Sequence, residues 1–390
     1  MASLNAENIT LFSELYLKQE VISQVYSHVG SYTGANNLIE KTTKGSPKSK
    51  FFSFTYVPEY MKTEVSVPKL WTEKTFPSVN GYAIQINNPW SVDDYLRQQN
   101  KKQRENINRA RRRLETCFDI NYKVFQHQIQ EEEYHFLMEQ LRTMIMRRFE
   151  QRGQKSSTMA IWDQVLATSF ELMKQKKASL FVIYDKDSPI AISFNYIYDR
   201  ILFGYISSYH LDYGKFSLGQ IVIYKLLEWC LQNKFSQYDM GWGDLEYKKW
   251  WCNKIYRFNH QICYQKYSIS GFLFACFKGN RSRLLAFLIS KRVNIYWKIL
   301  KKKLKRDIKI PSLSPSYRFM EISLEETEKF NEINLAEKNL PITKQIINNF
   351  LFSTQEHSNN VTLHSTDTKD QYILKGRKSA RLVVFNPVNQ

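Results

Sequence analysis

No two cysteines of this chain form a C-x-x-C pair, and none of the five (Cys117, Cys230, Cys252, Cys263, Cys276) stands at metal-ligand spacing with the seven histidines. That excludes a zinc ribbon and a disulfide framework, and leaves reduced thiols in or near a core. No P-loop, H-E-x-x-H or G-x-S-x-G motif occurs, which removes the commonest phosphate-cradle, metalloprotease and serine-hydrolase readings. No uninterrupted apolar run is long enough to span a bilayer. The N-terminus carries Glu7, Glu14 and Glu20 instead of a basic stretch followed by an apolar one, so no secretory signal is expected and a cytoplasmic location is.

Negative charge is in short supply as well. Lys and Arg number 56 against 37 Asp and Glu, for a net charge of +19 and an isoelectric point near 9.5. Such a balance suggests anionic partners: CoA phosphates, tRNA, anionic lipid or an acidic polymer. The 390 residues suffice for two compact domains and a tail.

Taken in order, the chain begins with a helix expected from Ile9 to His28 and a polar loop over 41–50. Phe51 to Val57 and Tyr82 to Ile86 read as strands separated by a long, proline-containing connection. Ser91 is placed to cap a helix from Val92 to Glu115, with a narrow apolar seam of Val92, Leu96, Ile107, Ala110 and Leu114. Its other faces carry Lys101, Lys102, Arg104, Arg109, Arg111, Arg112 and Arg113, which serve either a solvated face or an anionic partner. A strand over Asn121 to His127 precedes two amphipathic helices, 131–150 and 157–174. Three aromatic and β-branched runs, 179–184, 190–198 and 201–208, are joined by polar turns and read as an antiparallel meander.

The meander feeds the stretch around which the chain is organised. From Ser217 to Leu231 a helix is apolar on almost every face, as suits a core. The short run Phe235 to Met240 follows, then Gly241-Trp242-Gly243-Asp244, then Leu245 to Trp251. This is a buried strand entering a turn that needs backbone freedom. The start of the 217–231 helix, with Gly214, Lys215 and Gly219 near it, is either an ordinary capped terminus or a phosphate site, because helix N-termini present unpaired N–H groups and partial positive charge.

The succession of strands, Ser-x-Gly helix start, apolar helix and Asp-x-Gly-x-Gly-Asp-x-x-Tyr-Lys-x-Trp (Asp239, Gly241, Gly243, Asp244, Tyr247, Lys248, Trp250) resembles the acyltransferase domain of the GNAT superfamily. The branch it resembles is the BioF-like or cellulose-biosynthesis CelD-like one, distantly FemABX-like, over roughly Pro89 to Ser270. The resemblance implies an α+β fold with a GNAT-like mixed central sheet flanked by helices. A tandem of a degenerate first half and an intact second half, with a C-terminal extension, is expected. The segments are 1–50 (helix and loop), 51–150 (degenerate half with the basic helix), 151–270 (acyltransferase domain), 271–310 (apolar and basic) and 311–390 (tail).

The resemblance also implies an N-acyltransferase using acetyl-CoA or another acyl-CoA as co-substrate. Lys215, Ser217, Leu218, Gly219 and Gln220 would hold the CoA pyrophosphate. In place of the general signature Gln/Arg-x-x-Gly-x-Gly/Ala, this chain has Gly214 at the first position and Ser217 at the first glycine. Acyl transfer to an amine needs a proton acceptor and oxyanion donors but no metal, and none is expected. Asp239, Asp244, Tyr247 and Lys248 are the candidates for the acceptor side, with Asp244 and Lys248 on one helix face; Tyr209, His210 and Asp212 lie nearby in sequence.

The acceptor is expected to be a small-molecule or glycan-precursor amine, in polysaccharide or cell-envelope metabolism. Two other functions fit the same residues: a FemABX-like transferase using aminoacyl-tRNA, and a non-catalytic basic protein that binds nucleic acid or membrane. Beyond Gly271, apolar runs interrupted by Lys291 and Arg292 lead into 301–306. They suit either an anionic membrane surface at its inner face or helices packed on the sheet. The tail, with an acidic helix expected over 324–335 and strands at 372–374 and 381–385, has no assigned role.

Overall fold

The computed structural model describes residues 8–11, 15–16, 21–32, 37–39, 49–87, 91–154, 156–290, 317–334, 340–368 and 370–385. Its main feature is a nine-stranded mixed sheet. The strands are β1 (Asn8–Thr10), β3 (Phe51–Pro58), β5 (Trp71–Gln85), β6 (Ile120–Phe125), β7 (Ala178–Asp185), β8 (Ser188–Tyr198), β9 (Ile201–Tyr209), β10 (Gln237–Trp242) and β11 (Lys254–Gln265). Their order is β1-β3-β11-β5-β10-β9-β8-β7-β6. A small ribbon pairs β2 (Tyr26–Gly30) with β4 (Lys62–Val65). Strands β3 and β5, from the segment expected to form a degenerate first half, are therefore part of the same sheet as the meander β7–β8–β9.

Two apolar layers cover the sheet. On one face lie α3 (Glu131–Gln151) and α4 (Trp162–Lys174), with Tyr134, Leu137, Leu141 and Val165 buried. On the other lie α1 (Val92–Arg97), α2 (Lys101–Cys117) and α5 (Leu218–Gln232). The helix expected to run unbroken from Val92 is two helices, because Asn100 caps a new start by accepting from the Lys102 N–H. Ser91 forms a capping box with Asp94, and all five residues of the predicted seam are buried.

Other expectations needed correction. The long connection before Tyr82 is instead the first half of β5, which pairs with β11 from Trp71 onward. Pro77 lies opposite Asn259 where the register of β5 on β11 shifts, and among the described residues β10 pairs with β5 only as far as Gly81, a place where a strand tolerates a missing N–H. The N-terminal stretch read as a helix contains strands β1 and β2 at its ends. The run from Ile262 to Ile269 reads from sequence as a last strand, and the strand there begins earlier, at Lys254, and ends at Gln265. In the tail, the acidic helix is a 3-10 turn, Glu325–Lys329, beside a two-residue strand.

The tail forms a second sheet of β12 (Tyr317–Ile322), β13 (Glu332–Ile333), β14 (Thr362–Ser365), β15 (Gln371–Lys375) and β16 (Ala380–Phe385). Helix α8 (Lys344–Thr354) joins it to the main body. Asn348 donates to the Asp212 carbonyl at 3.0 Å and the Cys117 thiol to the Leu351 carbonyl, so the tail buttresses the loop that enters α5. Helices α6 (Glu246–Trp251) and α7 (Ile269–Ser290) complete the body. Residues 291–310, including the basic run 301–306, lie outside the described residues.

Gly81 is where two parts of the sheet meet most closely. A Cβ there would lie 2.3 Å from the Tyr256 ring, which is buried and tied to Asp239 and so cannot move away cheaply. Gly81→Val is therefore expected to destabilise the fold by roughly 2–3 kcal/mol, read as a lower urea midpoint. An unchanged midpoint would contradict this packing.

Candidate active site

Strands β9 and β10 run parallel, and their pairing covers only Ile201–Phe203 against Gln237–Asp239. Beyond it β9 continues to Tyr209 and β10 to Trp242, and the two part. Both strands are distorted there: β9 bulges at Tyr205, since Phe194 of β8 pairs with Ile206 and Asn195 with Gly204. Gly241 and Gly243 have φ of +71° and +105°, values that side chains resist, and a bulge displaces β10 against β5 between Asp239 and Trp242. Asp239 holds this distortion. Its Oδ1 accepts the Gly241 N–H at 2.7 Å, and its Oδ2 accepts from the Tyr60 and Tyr256 hydroxyls, each at 2.5 Å. Tyr60 is also hydrogen-bonded to Tyr198.

A cavity of about 650 Å³ opens where the strands part. Its walls are Gly204, Tyr205, Ser207 and Tyr209 of β9, and Tyr238 and Met240 of β10. The start of α5 contributes Ser217, Gly219 and Gln220, α6 contributes Tyr247 and Lys248, and the end of α3 contributes Arg148 and Arg152. Among the described residues, the lining thus has three cationic side chains and no carboxylate. The amides that open α5 add to the positive side, since the first intrahelical bonds are those of Gln220 and Ile221 to the Ser217 carbonyl.

The structure divides the residues singled out from sequence into two groups. Ser217, Gly219, Gln220, Tyr247 and Lys248 meet in the cavity. Ser217 stands at the N-cap position in a left-handed conformation, φ +55°, and its side chain caps nothing. At Gly219 a Cβ would sit 3.5 Å from the Tyr209 ring, an ordinary contact. Gln220 accepts from the Trp251 indole N–H at 2.6 Å, tying the helix start to α6. Leu218 is a core residue and Lys215 is exposed, and neither lines the cavity.

Asp239 is fully buried away from the lining, among the tyrosines. Burial pushes its carboxyl up to about 6, against the opposing pull of the Tyr256, Tyr60 and Gly241 hydrogen bonds and the Lys248 charge. Asp244 is half exposed; it accepts from the Tyr82 hydroxyl at 2.7 Å and pairs with Lys249 at 2.5 Å. The expected shared face of Asp244 and Lys248 does not form, because α6 begins only at Glu246 and turns Lys249 toward Asp244. Lys248 instead folds inward, 7% exposed, and donates to the Trp242 carbonyl. Burial lowers its ammonium to about 8, with Asp239 pulling the other way. His210 and Asp212 pair with each other at 3.2 Å outside the lining, while their neighbour Tyr209 forms part of it.

Arg148 and Arg152 escaped sequence reading. The Arg148 guanidinium lies 4.4 Å from the Tyr209 ring centroid, and burial, followed by the neighbouring Arg152, lowers its pKa. The available signal was the basic C-terminal end of an otherwise amphipathic helix, where the apolar stripe drew the attention. The hydroxyls on Asp239 come from Tyr60 and Tyr256, and Tyr60 lies 179 residues away in sequence; no local pattern marks them. Among the described residues, no three His, Cys, Asp or Glu side chains group as a metal site would require.

Asp239→Ala would leave two buried hydroxyls and one amide without their acceptor. A loss on the order of 3 kcal/mol in urea unfolding at pH 7 is expected; a loss under about 1 kcal/mol would show that Asp239 does not hold the turn. Because its folded pKa of about 6 lies above the ordinary 3.8, this carboxyl makes stability fall as pH rises across that interval, a slope the variant should lack.

Residues 101–249, which include α2, α3, the meander, α5, β10 and nearly all of α6, match the family described as "Acetyltransferase (GNAT) domain". No curated protein matches the chain. Among solved structures, FemX is similar at 10% identity and a TM-score of 0.41, over 59% of this chain and 74% of that one. A conserved protein of unknown function from Bacteroides thetaiotaomicron VPI-5482 is similar at 10% identity and a TM-score of 0.39, over 55% and 69%. The segment that supplies the described cavity's walls is a domain of the GNAT superfamily.

Proposed function

We propose that this protein transfers an acyl group from an acyl-CoA, acetyl-CoA in the simplest case, to the amine of a small-molecule or glycan-precursor acceptor. One observation carries the proposal: a cavity with three cations and no carboxylate opens between parting strands, directly beside the start of a buried helix. A pyrophosphate suits that combination, with the opening amides of α5 and the Arg148 and Arg152 guanidinia as donors. The thioester would extend along the edge of β9 that β10 relinquishes after Phe203, where backbone N–H groups can meet the oxyanion.

Lys248 is the group proposed to take the proton from the attacking amine. Its folded pKa near 8 leaves a neutral fraction at physiological pH. The amine nitrogen bonds to the thioester carbonyl carbon, the C–S bond breaks, and Tyr247 gives the departing thiolate its proton. Asp239 acts through others in this scheme, by fixing the glycine turn and by favouring the charged form of Lys248. Asp244 positions α6 through Tyr82 and Lys249.

A second reading replaces acyl-CoA with aminoacyl-tRNA. It is favoured by the outer face of α2, where Lys101, Lys102, Arg109 and Arg112 are exposed; Arg111 and Arg113 instead stack on Tyr224 and Phe352 at 4.9 and 4.4 Å. Thermal shift separates the readings, since a ligand that binds only the folded state raises the melting temperature by mass action. CoA should raise it, and bulk tRNA alone raising it would favour the second reading or a non-catalytic nucleic-acid protein.

Gly219→Glu is expected to abolish the CoA-induced shift while leaving the unliganded melting temperature nearly unchanged, because the added side chain has room beside Tyr209 but places a carboxylate where phosphate must approach. A retained shift would place the donor elsewhere. For Lys248→Met, kcat/KM should fall about 100-fold. In the parent, kcat/KM should rise with pH through about 8 and then level off as the amine becomes neutral. The folded pKa also lies below the ordinary 10.5, so the unfolded chain holds a proton that the folded one lacks between these values, and this lysine makes stability rise with pH there. A variant that keeps both the rate and the rise near pH 8 would remove Lys248 from the proposal.

A further inference from the structure

Helix α7 has two apolar sides, and among the described residues only one of them is covered. Its inner side sits on β5 and β11. Gly279 lies so close that a Cβ would reach 2.2 Å from the Phe76 ring, Phe274 stacks on Phe51 at 4.3 Å, and Ser282 donates to the Pro77 carbonyl. The opposite side repeats Ile269, Leu273, Phe277 and Leu284 at i, i+4, i+8 and i+15, which places them along one outward stripe. These residues are 79%, 60%, 69% and 58% exposed. The stripe lies on a helix about 33 Å long, with the exposed Asn280 interrupting it between Phe277 and Leu284, and four large apolar side chains so aligned and exposed are more than a soluble surface ordinarily leaves in water.

The charges around it are of one sign. On the helical wheel Arg281 flanks the stripe on one side and Arg283 on the other. No Asp or Glu occurs from Tyr247 to Arg306, while sixteen Lys and Arg do. An apolar stripe bordered by cations is the pattern of a helix lying in the interface of an anionic bilayer, with stems and guanidinia reaching the headgroups. No helix among the described residues is long and apolar enough to cross a membrane, so α7 would lie along the surface. A second copy of the chain would set like charges against each other. The 291–306 segment has eight Lys and Arg and no acid, so it cannot neutralise the flanks either.

We infer that α7 docks this protein on an anionic phospholipid surface, inserting Ile269, Leu273, Phe277 and Leu284 between headgroups while the flanking arginines meet phosphates. This does not depend on the acyl-transfer reading.

The test is co-sedimentation of the full chain with vesicles of phosphatidylcholine alone or mixed with phosphatidylglycerol, at low and high salt. The parent should bind only the mixed vesicles, more weakly at high salt. Phe277→Asp and Leu284→Asp should each weaken binding ~tenfold or more, with unchanged melting temperatures because both positions are exposed; Leu284→Ser serves if either aspartate variant fails to fold. Arg281→Glu should weaken binding and reduce its salt dependence. Failure to bind mixed vesicles, or binding that the apolar-stripe substitutions leave intact, would overturn the proposal, the second outcome assigning the attraction to basic residues elsewhere. Sedimentation velocity showing a dimer that Phe277→Asp dissociates would overturn it in favour of a second copy.

Discussion

A buried carboxylate holds the structure open at its centre. Asp239 loses hydration on burial and is compensated by three donors, and those donors join three distant parts of the chain: the loop after β3, the glycine turn of β10, and β11. Oδ1 holds the Gly241 amide where β10 shifts register against β5, β9 bulges at Tyr205 on the other side, and the two strands do not pair with each other beyond Phe203 and Asp239. The 650 Å³ space lies between the two strands where they have parted.

Electrostatics then follow from position. The Asp239 charge lies behind the turn, while Lys248, Arg148 and Arg152 line its front. Burial pulls Lys248 toward neutrality and Asp239 opposes it, so the carboxylate moderates the very amine that faces the cavity. The same turn sets the direction of α6: Leu245 takes the cap position, Lys249 turns to Asp244 and Lys248 turns inward. Trp251 closes the arrangement from the far end of α6 through Gln220, which links α5 to α6 by one hydrogen bond.

What was legible in the sequence was local. The meander shows as three β-branched and aromatic runs with polar turns, and the apolar α5 and the Gly241–Gly243 turn show in a few consecutive residues. These elements also carry the GNAT resemblance, and the family match spans nearly all of them. Hidden features depended on distance. The tyrosines on Asp239 are set by strand order, and the arginines of α3 become a site only when that helix crosses the end of β9. Pro77 reads as a strand breaker until it is seen to lie at a register shift between β5 and β11. The Asp244–Lys248 spacing misled because it assumed a helix starting two residues too early.

In the proposed function, the space between β9 and β10 receives a donor whose phosphates rest on the start of α5. Hydrogen–deuterium exchange with and without CoA tests it directly, since a bound pyrophosphate must protect the amides it accepts from. Slowed exchange is expected at Leu218 and Gly219 and along β9 from Gly204 to Tyr209, with little change in the tail sheet. Protection absent from both segments, with CoA bound at saturation, would contradict it.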